Sequence, residues 1–144
     1  ASGGKSMVKA AVDAMPHTNI TGVTILTSLS EADVAEVGFK FAALDSAVAL
    51  AKVAVNGGAR AIVCSPLEIS AVRSAIGAQP IIITPGVRPL DMVGTDDQQR
   101  TMTPEDAIAA GANLVVIGRP ITQSWAQGAS AMKERAQEIG SRLI

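Results

Sequence analysis

Ile81-Ile82-Ile83-Thr84-Pro85-Gly86-Val87-Arg88-Pro89 decides how this chain is read, and Leu114-Val115-Val116-Ile117-Gly118-Arg119-Pro120-Ile121 is its counterpart further on. Each is a short apolar run that ends in Gly and Arg. A buried parallel strand ending this way offers backbone amides and a guanidinium to a phosphate group. Two in succession predict the last two strands of a (βα)8 barrel, where such folds commonly hold phosphate.

The same alternation extends outward from these runs. Gly22-Val23-Thr24-Ile25-Leu26-Thr27 and Ala61-Ile62-Val63-Cys64 are β-branched runs of strand length. Lys5 to Met15 is expected to be a helix, with Met7, Val8, Ala11, Val12 and Met15 on one face and Pro16 as its stop. Ser30 reads as an N-cap, with Glu31 and Asp33 in the first turn, where the helix dipole favours acid. A helix from about Ser46 to Val55 ends on the Asn56-Gly57-Gly58 cap signal. Ser65-Pro66-Leu67-Glu68 opens another that fades by Ile76. Thr103-Pro104-Glu105-Asp106 combines a Thr cap, Pro at the first helical position and acid behind it. The last helix is expected from Trp125 to Gly140, with Trp125 packed at its start. The order αβαβαβαβα, with apolar strands that do not alternate, predicts an α/β fold on a parallel sheet. The long polar connection, Val87 to Met102, leaves the carboxyl end of a strand, where binding loops lie.

The chain has 144 residues and is read as one domain over 1–144. A complete (βα)8 barrel takes roughly 250 residues, with about 200 as a lower limit, so the expectation is part of a barrel, strands five to eight. Apolar residues make up 48%, which suits buried parallel strands and Ala-rich helices and argues against disorder. A net charge of −1 with scattered Lys and Arg gives a nucleic-acid partner no electrostatic basis. No apolar run approaches the ~18 residues of a membrane helix. The single cysteine, Cys64, excludes an internal disulfide, and a cytoplasmic location is expected. The chain opens on Ala1 rather than Met, which suggests truncation or cleavage.

Six pieces follow one another in order along essentially the whole chain: Ala1-Ser2-Gly3-Gly4, Leu26-Thr27-Ser28, Val63-Cys64-Ser65, Thr84-Pro85-Gly86-Val87-Arg88-Pro89, Asp97-Gln98-Gln99-Arg100-Thr101-Met102-Thr103-Pro104 and Val116-Ile117-Gly118-Arg119-Pro120-Ile121-Thr122. Each alone is a weak signal. In this order and spacing they resemble the bacterial orotidine 5′-phosphate decarboxylase family. The resemblance implies a chain that starts after barrel strand four. It implies an enzyme of pyrimidine synthesis that converts orotidine 5′-monophosphate to UMP and carbon dioxide without a cofactor. It also implies five substrate-binding residues. Thr27 would end strand five and hydrogen-bond the pyrimidine. Arg88 and Gln98 would lie on the loop after strand seven, with the glutamine reaching phosphate and base. Gly118 and Arg119 would follow strand eight and hold the phosphate. The residue types suit those roles. A guanidinium can pair two-pronged with a phosphate edge, and glycine lets backbone amides at a helix start come close.

Each of these residues also has a plainer reading. Arg119 could pair with a helix carboxylate, Arg88 could anchor the loop, and Thr27 could cap a turn. Gln98 could be an exposed amide, and Gln99, one residue on, is its rival for the ligand position. His17 reads as solvent-facing and Cys64 as a buried, inert thiol.

The resemblance also sets what is missing. The family's catalytic Asp-x-Lys-x-x-Asp run has no match. Asp91 and Asp96 have the right separation, but Val93 stands where lysine is needed. No catalytic residue is therefore assigned to this chain. It would supply the phosphate- and pyrimidine-binding half, with an amino-terminal half-barrel as its partner and a homodimer as the assembly. The alternative is a non-catalytic half-barrel that binds phosphorylated ligands and self-associates, since four parallel strands leave two open edges and a bare apolar face. A relative acting on another sugar phosphate is disfavoured by Asp97-Gln98 and Thr103-Pro104.

Overall fold

Thr21 lies opposite Ala61, Ala61 opposite Ile81, and Ile83 opposite Leu114, so the β-branched runs pair as neighbours in one parallel sheet. The computed structural model describes residues 1–92 and 101–143. Among these the order is α1 (Gly4–Ala14), β1 (Thr21–Val23), α2 (Glu31–Glu36), α3 (Ala43–Asn56), β2 (Ala61–Val63), α4 (Ile69–Ile76), β3 (Ile81–Thr84), α5 (Pro104–Ala109), β4 (Leu114–Val115), α6 (Arg119–Thr122) and α7 (Ala129–Ser141). Single 3-10 turns lie at Pro66–Glu68, Leu90–Met92 and Gln123–Gln127. The sheet order β1-β2-β3-β4 follows the chain. Helices connect successive parallel strands, which is the wall of half a (βα)8 barrel, as the sequence predicts.

One face of the sheet is covered. Ile62 of β2 and Ile82 of β3 are fully buried against Ala51 and Ala54 of α3 and Ile69 and Val72 of α4. Val8 of α1 and Ala107 of α5 complete that core. Alanines let α3 lie close to the sheet, and Gly22 of β1 completes the fit: a Cβ there would stand 2.5 Å from the Ala54 Cβ. A smaller cluster of Ile25, Val34, Ala43 and Ala47 seats α2 on α3. The opposite face is open, with Val23 42%, Leu114 54% and Val116 51% exposed.

The caps form as their residue types dictate. Ser30 Oγ accepts the Asp33 amide at 3.2 Å, and Asp33 Oδ2 accepts the Ser30 amide at 2.8 Å. Thr103 Oγ1 accepts the Asp106 amide at 3.1 Å, with Pro104 at the first helical position. Three boundaries differ from expectation. The first strand ends at Val23, well before Thr27. The Thr24 amide and hydroxyl both end on the Val63 carbonyl, at 3.0 and 2.8 Å, and the chain then turns, with Leu29 N–H on the Leu26 carbonyl at 3.1 Å. α3 begins at Ala43 rather than near Ser46, because Glu31 Oε2 of α2 accepts the Ala43 amide at 2.9 Å. The last helix begins at Ala129, since Gly128 (φ +105°) breaks it from the preceding turn. Trp125 lies on that turn and is 60% exposed, so it does not pack as expected.

Candidate functional site

All four strands run the same way, so the segments leaving β1, β3 and β4 emerge at one edge of the sheet. Those segments carry Thr27, Arg88, Gly118 and Arg119. Gln98 lies outside the described residues. The ladder between β3 and β4 continues past the strands, with the Val116 amide on the Thr84 carbonyl at 2.9 Å. The two Gly-Arg segments therefore leave neighbouring, hydrogen-bonded strands.

The segment after β3 is held from both sides. Gly86 takes φ +78°, a conformation that favours glycine. Val87 is fully buried and bridges to Met102, and the Arg88 amide donates to the Met102 carbonyl at 2.9 Å. The Arg88 guanidinium is turned inward: the residue is 4% exposed and Nη1 donates to the Val87 carbonyl at 2.8 Å. Thr27 is half-buried in the loop beyond β1 rather than at a strand end.

The segment after β4 is open. Gly118 and Arg119 are exposed, and Arg119 opens the four-residue helix α6. The Gly118 carbonyl accepts the Ile121 and Thr122 amides at 2.9 and 3.0 Å. Gly118 has φ −100°, and a Cβ there would meet no atom within 4 Å. Packing within the described residues does not require glycine at 118, while its ψ of −93° lies outside the ordinary helical and extended regions.

Three further features mark this edge, and only the first, a Ser65–Glu68 capping box, has a local sequence signal. Glu68 is 1% exposed, and its carboxylate accepts the Ser65 amide at 3.0 Å where β2 gives way to α4. Thr84 Oγ1, at the end of β3, is buried without a hydrogen-bond partner among the described residues. Arg135 of α7 donates through Nη2 to both oxygens of Asp91, at 2.9 and 2.7 Å. Hydrogen bonding from Arg135 holds the Asp91 carboxyl below its ordinary value. Asp91 first and Glu138 second raise Arg135 in turn. Asp91, in sequence only a failed match to a catalytic run, is thus engaged structurally.

A hollow of about 400 Å³ beside β1 is lined by Ala1, Val23, Leu26, Leu29 and Phe39 at the same carboxyl edge. Another of about 430 Å³, lined by Asn19, Arg60, Gln79 and Pro80, lies at the opposite, amino edge. Among the described residues no group of His, Cys, Asp and Glu could hold a metal ion, and no helix is long and apolar enough to cross a membrane.

Comparison with known proteins agrees with the half-barrel fold. The chain is 53% identical to an orotidine 5′-phosphate decarboxylase of Thermobifida fusca, over 91% of this chain and 56% of that protein. It is 45% identical to one of Frankia casuarinae, over 91% and 47%. The crystal structure of orotidine 5′-phosphate decarboxylase from Lactobacillus acidophilus superposes with a TM-score of 0.77 at 32% identity, covering 98% of this chain and 59% of that one. The chain thus spans about half the length of the curated relatives it matches. A family model described as orotidine 5′-phosphate decarboxylase / HUMPS matches residues 1–134, and to that family the chain belongs.

Proposed function

We propose that this chain, as a single domain, is the nucleotide-gripping half of an orotidine 5′-phosphate decarboxylase. Its amino-terminal partner half would supply the Asp-x-Lys-x-x-Asp run. In this reading Arg119 and the Gly118 backbone hold the phosphate. Arg88 and Gln98 contribute from the segment after β3, and Thr27 contributes beside the base. The observation that carries the reading is the glycine at 118. Packing does not need it, and it stands next to an exposed arginine at the carboxyl edge of the last strand, where barrels of this type hold phosphate. A bare backbone there suits close approach by an anion.

The inward turn of Arg88 gives it a supporting part, fixing the segment after β3, with Arg119 as the principal cation. Phosphate binding far from the reacting carbon can help order the reacting end, so the grip contributes to rate as well as to affinity. The open sheet face at Val23, Leu114 and Val116 is where the missing half would seat, and the joined barrel would assemble as a cytoplasmic homodimer. A self-associating binder without catalysis remains the rival.

Titration of the chain with UMP and with uridine, by calorimetry or NMR, tests the grip. The expected result is a marked preference for UMP that collapses in Arg119→Ala. Equal affinity for the two ligands in the unaltered chain would overturn the proposal.

A further inference from the structure

We propose that Arg135 is a positioning residue for the phosphate grip, which it orders by joining the segments that carry Arg88 and Arg119. This rests on the phosphate-binding reading above. One guanidinium, with a side chain only 15% exposed, reaches three elements. Nη2 donates to Asp91 Oδ1 and Oδ2 at 2.9 and 2.7 Å, on the turn three residues beyond Arg88. Nε donates to the Pro120 carbonyl at 3.4 Å, one residue beyond Arg119. Nη1 donates to Glu138 Oε2 at 2.8 Å, one turn along α7.

The geometry separates the parts of this network. Glu138 is on Arg135's own helix and also meets Arg142 at 2.5 Å, so that side steadies the guanidinium. Asp91 and Pro120 belong to different strand-end segments, and the hydrogen bonds of Arg135 link them. A planar guanidinium can serve a carboxylate and a carbonyl at once along fixed directions, which an ammonium cannot do with the same geometry. An exposed ion pair alone contributes little to stability. The consequence of this link should therefore appear in where Arg119 stands more than in whether the chain folds.

The test is the ratio of uridine to UMP dissociation constants in the 144-residue chain. Arg135→Ala should lower that ratio about tenfold. Asp91→Asn, at an exposed side chain whose loss leaves the core intact, should lower it severalfold. Arg73→Ala, which loosens the opposite end of the sheet, should leave the ratio unchanged while lowering thermal stability. A merely structural role for Arg135 would weaken both ligands together and leave the ratio intact. If Arg119→Ala collapses the ratio while Arg135→Ala and Asp91→Asn do not, this proposal is wrong and the phosphate grip stands. If Arg119→Ala also leaves it unchanged, the grip falls and this proposal falls with it.

Discussion

Arg73 and Asn113 meet 40 residues apart in the chain: Arg73 Nη2 donates to Asn113 Oδ1 at 2.7 Å, and that same oxygen accepts the Ile82 amide at 2.8 Å. Arg73 also donates to the carbonyls of Gly77, Ala78 and Pro80 at 3.0, 3.3 and 2.7 Å, and to that of Gly111 at 3.0 Å. A single side chain of α4 thus gathers the loops that feed β3 and β4. Those contacts lie at the amino ends of the two strands, away from the carboxyl edge where the Gly-Arg segments leave.

Removing this clamp should destabilise the chain without touching the carboxyl edge. Charge-assisted hydrogen bonds contribute about 1.5–3 kcal/mol each when a partner is lost. Arg73→Ala should therefore cost roughly 2–3 kcal/mol in urea unfolding, since some freed carbonyls regain water. Asn113→Ala should cost less, about 1–2 kcal/mol. The double variant should cost less than the sum, because the two residues share one network. Full additivity would show that the pair does not act as a unit.

Gly22 offers a packing test. A side chain there must displace Ala54 of α3, whose Cβ would stand 2.5 Å away. Overpacking of this kind costs about 1–3 kcal/mol, so Gly22→Val should lower the urea midpoint clearly. A combined Gly22→Ala and Ala54→Gly exchange should recover much of the loss. A silent Gly22→Val would contradict the tight seat of α3 on β1.

The α2 cap should make stability depend on acid. The Ser30 hydroxyl, and then its amide, hold the Asp33 carboxyl below its ordinary value of 3.8. A carboxyl depressed in the folded state contributes stability that is complete above its unfolded value and is lost as pH falls through the folded one. Stability of the unaltered chain should thus decline below about pH 4, and Asp33→Asn should flatten part of that decline. Ser30→Ala should separately cost about 1 kcal/mol near neutral pH. Parallel acid curves for the chain and Asp33→Asn would show that the cap does not titrate as described.

At the carboxyl edge, Arg119→Ala should weaken UMP binding about tenfold or more, the equivalent of losing one charge-assisted contact of ~1.5–3 kcal/mol. Arg88→Ala should act differently. Its guanidinium is buried on the Val87 carbonyl, so its loss should lower stability as well as affinity. Equal and purely ligand-directed effects of the two substitutions would contradict the inward placement of Arg88.

Much of the fold was legible because its signals are local. The strand-forming runs Ala61–Cys64 and Ile81–Thr84 contain the observed strands, and Ser30 and Thr103 cap the helices their side chains suit. Placing Gly118 and Arg119 beyond the last strand needed only the end of an apolar run. The errors arose where a distant group intervened. Thr27 was expected at a strand end, but the Thr24 hydroxyl closes that strand on a carbonyl 39 residues away. The start of α3 is set by Glu31 from another helix. Trp125 was expected to pack, yet Gly128 separates its turn from α7. The Arg135–Asp91 pair spans 44 residues, and nothing in either neighbourhood marks it.

The most direct measurement is decarboxylation of orotidine 5′-monophosphate by this chain joined to the amino-terminal half of the Thermobifida fusca relative. The account predicts carbon dioxide release by the joined protein and none by either half alone, with the joined activity lowered by Arg119→Ala. A soluble, folded fusion that binds UMP but releases no carbon dioxide, or release by the 144-residue chain on its own, would contradict it.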